Sequence, residues 1–190
     1  MQILKENIRK EIITTATQLF YKQGFEKTST RQIALELKMS VSNLYKYFNN
    51  KEHIFEEIIK VYYDNFLSDF SQFIAHVDKD RFDEESNRHL AEFIFTSIKD
   101  NYIKFVLLMD KSEGTKYANF KDQMISGLEN HISKEIHQSL KDEYIIKIFV
   151  RNFFYGIVEV AKNYKNDDWA LMNINLLVQY HMKGISILYK

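Results

Sequence analysis

One short stretch decides the fold: Thr28-Ser-Thr-Arg-Gln-Ile-Ala-Leu-Glu-Leu-Lys-Met-Ser-Val-Ser-Asn-Leu-Tyr-Lys-Tyr-Phe-Asn-Asn-Lys51. It predicts two short helices joined by a tight turn at Lys38-Met39. Ser29 is placed to cap the first helix, Gln32 to complete a capping box, and Ser40 to cap the second helix. Apolar residues recur at helical spacing on the inner side of both helices: Ile33, Ala34 and Leu37, then Val41, Leu44 and Phe48. The pattern predicts a helix-turn-helix.

The second of these helices leaves a polar and aromatic face on the outside, formed by Ser42, Asn43, Tyr45, Lys46 and Tyr47. An amide can pair with an adenine edge, hydroxyls and Lys can reach phosphates, and rings can pack on sugars and thymine methyls. Asn50 is placed to cap a further helix that begins at Lys51, and such a helix start favours a phosphate. This face therefore favours binding in a DNA groove.

The spacing resembles the DNA-binding domain of TetR-type transcriptional repressors. The residues that carry the resemblance are Ile13, Ala16, Leu19-Phe20, Gly24-Phe25, Thr28-Ser29, Ile33-Ala34, Ser40, Leu44-Tyr45, Tyr47-Phe48, Lys51 and Phe55. The family usually has a Gly in the turn where this chain has Lys38. Gly suits a left-handed backbone there, so Lys38 would be strained by about 1 kcal/mol in the same conformation.

The candidate DNA contacts fall into two sets. We expect base-edge and sugar contacts from Ser40, Val41, Ser42, Asn43 and Tyr45, and phosphate contacts from Thr28, Ser29, Thr30, Arg31, Lys46, Tyr47 and Lys51. Three further bases near the N-terminus, Lys5, Arg9 and Lys10, either reach a neighbouring phosphate or form a solvated face, and the sequence leaves both open.

Composition sets broad limits. Apolar residues make up 45% of the 190, Pro and Cys are absent, and Gly occurs only five times. Long helices without disulfides are therefore expected, and a signal peptide or membrane span is not. The net charge is zero, but residues 1–55 contain nine basic and five acidic residues, which leaves −4 on the rest. This split favours a DNA-binding head and a non-binding body in a cytoplasmic protein.

The fold class is therefore all-α, with a helix-turn-helix domain at 1–50 and a helical regulatory and dimerisation domain at 51–190. Apolar periodicity predicts helices over 3–23, 51–77, 88–99, 102–109, 116–140, 142–164 and 167 to the C-terminus, with loops at 78–87 and 111–115. Gly24 is placed to end the first helix, and Asp167 or Asp168 to cap the last.

The last two helices are so apolar that one protomer would hide them with difficulty. A two-fold four-helix bundle is the economical solution, as the resemblance also implies; burial of both helices inside a monomer is the alternative. The residues expected at this interface are Phe149, Phe153, Ile157, Val160, Leu177, Tyr180, Gly184 and Ile185. A two-fold dimer would select a palindromic operator.

The resemblance also implies a small-molecule effector between the middle helices. The many aromatic residues there favour an apolar or aromatic effector. The candidate lining residues are Phe93, Tyr102, Phe105, Met109, Phe120, Met124, Asn152 and Tyr155. No catalytic motif is present and the six histidines are scattered, so we expect no enzyme activity, no cofactor and no metal.

The sequence thus predicts a homodimeric repressor that binds double-stranded palindromic DNA and is released by a small ligand that prefers another conformation. Three alternatives stay open: a related activator or a regulator controlled by a protein partner, an enzyme housed in the helical body, and a structural dimer without a DNA role. The last of these requires the outward face of residues 40–47 to be buried.

Overall fold

The computed structural model describes residues 2–76, 83–135 and 143–186, which contain nine α-helices and no strand. The all-α prediction is confirmed. The helices are α1 (Gln2–Gln23), α2 (Thr30–Glu36), α3 (Val41–Leu44), α4 (Lys51–His76), α5 (Glu84–Ile98), α6 (Tyr102–Asp110), α7 (Phe120–Glu135), α8 (Glu143–Lys162) and α9 (Asp167–Ser186).

The first three helices and the start of α4 close around one apolar core. Ile12, Ala16 and Phe20 of α1 are fully buried, as are Ile33 and Leu44 of the helix-turn-helix. Gly24 ends α1 with a φ of 87°, a conformation that an L side chain rarely adopts. The sharp corner there brings Phe25 back onto α1, and the α1 helix becomes the platform on which α2 and α3 rest.

The α4 helix runs from this N-terminal core into the rest of the molecule. Its buried Phe55 meets Phe20 and Phe25 at ring-centroid distances of 5.4 and 5.2 Å. Further along, the Tyr62 hydroxyl donates to the Ser97 carbonyl at the end of α5, 2.8 Å away. One continuous helix therefore packs on both parts of the chain.

The starts of two helices and the cap of a third differ from the sequence prediction. Helix α5 starts at Glu84, so the predicted loop at 84–87 is wrong: Asp83 accepts from the Ser86 amide at 2.9 Å, and Glu84 and Glu85 favour the positive helix start. Helix α7 starts at Phe120 because residues 116–119 form a turn. Helix α9 is capped by Asn166, whose side chain accepts from the Trp169 amide at 2.9 Å. The predicted segments at 77–82 and 136–142 lie outside the described residues.

Helices α8 and α9 cross closely. A Cβ atom added to Gly156 would lie 2.9 Å from both methyl carbons of Leu177, so a larger residue there would displace the Leu177 side chain. Gly184, in contrast, has no heavy atom within 4 Å of such a Cβ position. Within the protomer, the close approach of the two helices therefore involves Gly156 and not Gly184.

Candidate nucleic-acid interface

The turn between α2 and α3 has the left-handed geometry that the sequence suggested. Lys38 has a φ of 52°. Its amide donates to the Leu35 carbonyl at 3.0 Å, and the Met39 amide donates to the Ala34 carbonyl at 2.9 Å. These two bonds form a Schellman motif, in which Gly usually occupies the position of Lys38. The lysine is strained, but the turn keeps its shape.

The side-chain caps predicted for α2, α3 and α4 are confirmed. The Ser29 side chain accepts from the Gln32 amide at 3.2 Å, and the Gln32 side chain accepts from the Ser29 amide at 2.8 Å. Ser40 accepts from the Asn43 amide at 3.1 Å, and Asn50 accepts from the His53 amide at 2.7 Å. Each helix start in this region is therefore fixed by a side chain three residues away.

We call residues 40–48 the recognition segment. Ser42, Tyr45 and Lys46 are exposed, Val41, Asn43 and Tyr47 are half-buried, and Leu44 and Phe48 face the core. The Tyr45 hydroxyl lies 3.3 Å from the hydroxyl of Thr30, which holds the ring beside the start of α2. Ser29 and Arg31 are exposed on the same helix start. The outward face is accessible, which disfavours the structural dimer without a DNA role.

Two of the predicted phosphate contacts have polar groups engaged inside the fold. Thr28 is only 1% exposed, and its hydroxyl donates to the Gly24 carbonyl at 2.8 Å. The Lys51 ammonium donates to the Phe25 carbonyl at 2.9 Å and lies 4.0 Å from the centre of the Phe25 ring. Burial lowers the pKa of Lys51. Both side chains stabilise the bend between α1 and α2 through these hydrogen bonds.

Arg9 is engaged as well, although the sequence left its role open. Its guanidinium binds Glu57 of α4 and the main-chain carbonyl of Tyr47. It forms the floor of a shallow hollow between the start of α1 and the recognition segment, which Lys5, Glu6, Lys46 and Tyr47 also line. Two exposed lysines, Lys5 and Lys46, therefore stand at the rim of this hollow.

Several contacts tie the helix-turn-helix to the later helices. The Phe25 amide donates to the Lys111 carbonyl at 3.0 Å, and the Tyr21 hydroxyl donates to the Lys162 carbonyl at 3.2 Å. Lys116 forms an ion pair with Glu56, and this hydrogen bond lowers the pKa of the Glu56 carboxyl. A movement of α6 or α8 would therefore reach the DNA-facing end of the molecule through α1 as well as α4.

The candidate effector residues do not form one surface. Phe105, Met109, Phe120 and Met124 are buried and Phe93 and Tyr102 are half-buried, whereas Asn152 and Tyr155 are exposed on α8. Phe66 of α4, which the sequence analysis did not select, is central to the buried group. Its ring centre lies 6.2 Å from Phe93, 6.3 Å from Phe105 and 5.9 Å from Phe120.

The candidate dimer residues are divided in a similar way. Phe153, Ile157 and Ile185 are buried within the protomer, Phe149, Val160, Leu177 and Gly184 are half-buried, and Tyr180 is 80% exposed. Apart from Tyr180, the predicted residues are less exposed than four other large apolar side chains of α8 and α9: Tyr144, Ile148, Met172 and Leu176. Periodicity identified the helices, but the prediction that α8 is apolar nearly all round is wrong, because Lys147, Arg151 and Asn152 lie on its exposed side.

Two further observations concern the described part of the chain. No three His, Cys, Asp or Glu side chains lie close enough together there to hold a metal ion. None of the helices found there has the length and apolar character that a membrane span needs.

Comparison with known proteins gives a family match at the helix-turn-helix. Residues 12–58 match the model of the bacterial regulatory proteins of the tetR family. The matched segment begins in α1 and ends in the first turns of α4, so it covers the capped helices, the Lys38 turn and the recognition segment.

Relatives that match most of the chain are also named as transcriptional regulators. The chain is 25% identical over 189 residues to the biofilm operon icaADBC HTH-type negative transcriptional regulator IcaR of Staphylococcus aureus strain Newman, covering 89% of this chain and 99% of the relative. IcaR of Staphylococcus epidermidis is 23% identical over 196 residues, with the same coverage. These relatives are transcriptional regulators and not enzymes.

Solved structures share the fold. The ketosteroid transcriptional regulator KstR2 of Mycobacterium tuberculosis superposes with a TM-score of 0.62 at 16% identity, over 93% of each chain. The fatty acid degradation regulator FadR of Bacillus halodurans gives a TM-score of 0.51 at 18% identity, over 93% of this chain and 95% of that one. At these identities the likeness concerns the fold alone.

Proposed function

We propose that this chain is a TetR-type transcriptional regulator, a homodimeric repressor that binds a palindromic operator and is released by a small apolar or aromatic ligand. The observation that carries the DNA role is the recognition segment. Its exposed Ser42 lies on a short helix whose start is capped and whose inner side is buried, and its exposed Tyr45 and Lys46 lie in the turn that follows. A rigid helix with an exposed polar and aromatic face suits major-groove binding.

Repression, as opposed to activation, is supported by the relatives. The IcaR proteins, which match along nearly their whole length, are named negative transcriptional regulators. A repressor of this kind would act in the cytoplasm, where the operator DNA lies.

Dimerisation is supported by the exposed apolar side chains of the last two helices. Large apolar groups that stand out on both helices are Tyr144, Ile148, Tyr155, Met172, Leu176 and Tyr180. Exposed apolar groups concentrated on two adjacent helices mark an interaction surface. A second copy of the same two helices would cover them in a two-fold bundle.

The ligand proposal rests on the aromatic cluster around Phe66. Its rings come from α4, α5, α6 and α7, so a molecule inserted among them would move α4 relative to α6. Residues 1–50 would form the DNA-binding domain and 51–190 the regulatory domain, with α4 as the shared element. A ligand that binds better to the displaced arrangement would lower the affinity for DNA.

The test is selection of bound DNA from a pool of random duplexes by the purified chain at low salt. We expect a palindrome whose half-sites lie about 34–36 Å apart, or a multiple of that. The Lys46→Ala variant should bind the selected duplex more weakly, while Lys165→Ala, which removes an exposed lysine at the start of α9, should not. Failure of the folded dimer to select any sequence would overturn the proposal.

A reporter gene behind the selected palindrome then separates the two modes of regulation. Loss of the protein should raise transcription if it is a repressor and lower it if it is an activator. The same duplex serves to screen apolar and aromatic compounds for release. If no small molecule releases the protein, control by a protein partner becomes the better account.

A further inference from the structure

We propose that Arg9 is a positioning residue: it fixes the C-terminal end of the recognition segment against α1 and α4 and does not itself contact DNA. This inference rests on the proposed function for its consequence, but its structural part concerns the free protein. Arg9 lies on α1, 38 residues from Tyr47 and 48 residues from Glu57, so it joins three separate segments of the chain.

Three N–H groups and one flat face of the guanidinium have partners inside the fold. Its Nε atom donates to Glu57 Oε1 at 3.0 Å, and Nη2 binds the other carboxylate oxygen, so one edge of the fork is filled by a bidentate pair. The remaining Nη1 atom donates to the Tyr47 carbonyl at 2.8 Å. The flat face lies over the Phe48 ring, with Cζ 4.3 Å from the ring centre.

The carbonyl that Arg9 binds has no partner in a helical ladder. Helix α3 ends at Leu44, and the chain then turns through residues 45–47 before Lys51 starts α4. Carbonyls at a helix end need a donor from outside the helix. Arg9 supplies one to Tyr47, and its contact with Phe48 holds the next residue in place.

The positive charge of Arg9 is balanced by the carboxylate of Glu57. Because Glu57 binds it in a bidentate pair, the guanidinium contributes little net positive charge toward a phosphate. The exposed lysines at the rim of the same hollow, Lys5 and Lys46, are better placed for that purpose. The side chain of Arg9 is 31% exposed and two of its five N–H groups lie outside these three hydrogen bonds, so the salt dependence of DNA binding decides whether it also meets a phosphate.

Lysine could not replace Arg9 in this geometry. A lysine has one nitrogen on a flexible stem, whereas this site needs a planar group that satisfies a carboxylate, a carbonyl and a ring face together. Glu57 has its own part, because its two oxygens orient the guanidinium so that Nη1 points at Tyr47. The Glu57→Gln variant should therefore reproduce part of the loss.

The first measurement is amide hydrogen exchange on the free full-length protein. The amides of Tyr47 and Phe48 donate to the Leu44 carbonyl at 2.9 and 3.2 Å, so both report on the segment. In Arg9→Gln, exchange at 44–48 should rise about tenfold, the effect of losing one charge-assisted hydrogen bond, and exchange in α8 and α9 should not change. Arg9→Lys and Glu57→Gln should give smaller increases, and the control Lys5→Gln none.

The second measurement is affinity for the selected duplex as a function of salt. Arg9→Gln should weaken binding about tenfold without altering the slope of log K against log salt, whereas Lys46→Gln should reduce that slope by about 0.9. A reduced slope in Arg9→Gln would identify a phosphate contact and overturn the proposal. Unchanged exchange at 44–48 would also overturn it.

The two measurements separate the two proposals. If the wild-type protein selects no duplex, the DNA function fails, but the exchange experiment still decides whether Arg9 fixes the segment. If Arg9→Gln does not fold, Arg9→Lys and Glu57→Gln decide it. Faster exchange throughout the molecule in those milder variants would show a general structural role and overturn positioning.

Discussion

Lys38 is the residue at which this chain departs from the glycine usual in the TetR-type regulators that it resembles, and the departure has a measurable cost. With a φ of 52°, the side chain is held in a conformation that costs an L-residue about 1 kcal/mol. We expect Lys38→Gly to raise the free energy of unfolding by up to about 1 kcal/mol, measured by denaturant titration. Glu36→Gly, at the exposed end of α2, is the control and should lower it, because glycine weakens a helix. Equal effects of the two substitutions would contradict strain at Lys38.

Thr28 offers a second test at the same scale, since sequence reasoning placed it on a phosphate and the structure places its hydroxyl in the core. Thr28→Val should lower the free energy of unfolding by about 1 kcal/mol, because the Gly24 carbonyl and the Gln23 amide lose a partner. Thr28→Ser keeps the hydroxyl and should be closer to wild type. A valine variant of normal stability that binds the selected duplex more weakly would restore Thr28 as a DNA contact.

The number of residues between a side chain and its contact partners explains which site residues could be found from the sequence. The caps at Ser29, Ser40 and Asn50 and the turn at Lys38 depend on partners three to five residues away, and all were predictable. Lys51 and Arg9 were not, because their partners lie 26 to 48 residues away and are brought near only by the packing of α1 on α4. A basic residue is a phosphate candidate by its type, but only the fold shows whether its charge is already used.

For the helices, the sequence predicted which ones exist better than it predicted where each begins. Every predicted helix is present, because apolar periodicity is summed over many residues. The start of α5 was missed because the charged residues after Asp83 resemble a loop, although they favour the positive end of a helix. The outward face of α8 was missed for a different reason: it mixes the polar Lys147, Arg151 and Asn152 with large apolar residues, and only the polar ones mark it as exposed.

The packing of α8 on α9 also predicts that the free energy of unfolding depends on pH. The His181 ring stacks on Phe153 with ring centres 4.2 Å apart, and burial lowers the pKa of His181 to about 4. The unfolded chain, with a histidine pKa of about 6.5, binds this proton first, so stability falls as the pH drops from about 6.5 toward 4. His181→Phe keeps the stack and removes the proton site.

We therefore expect the loss of unfolding free energy between pH 7 and pH 4.5 to be smaller in His181→Phe than in wild type by about 2 kcal/mol. Denaturant titrations at the two pH values measure it. His89→Gln, at an exposed position of α5, is the matched control and should keep the wild-type dependence. If His181→Phe lost as much unfolding free energy as wild type between pH 7 and pH 4.5, the half-buried ring would not contribute to acid sensitivity.

At the scale of the whole molecule, the proposed dimer and the proposed operator depend on one surface. Leu176 is 59% exposed and Tyr180 is 80% exposed, so a charge there is tolerated by the protomer but not by a second copy packed against it. Leu176→Glu should therefore give a folded monomer in sedimentation equilibrium. Val61→Glu places the same charge on α4 at a side chain that is 69% exposed, and this control should stay dimeric.

Loss of the dimer should then weaken binding to the palindrome by about 100-fold or more, because the second half-site is no longer bound at a high effective concentration. Phe153→Glu would behave differently, since Phe153 is buried within the protomer and a charge there should unfold the chain. Circular dichroism separates that result from simple dissociation. If Leu176→Glu remained dimeric and bound the palindrome normally, the two copies would have to meet elsewhere, and the exposed apolar side chains of α8 and α9 would need another partner.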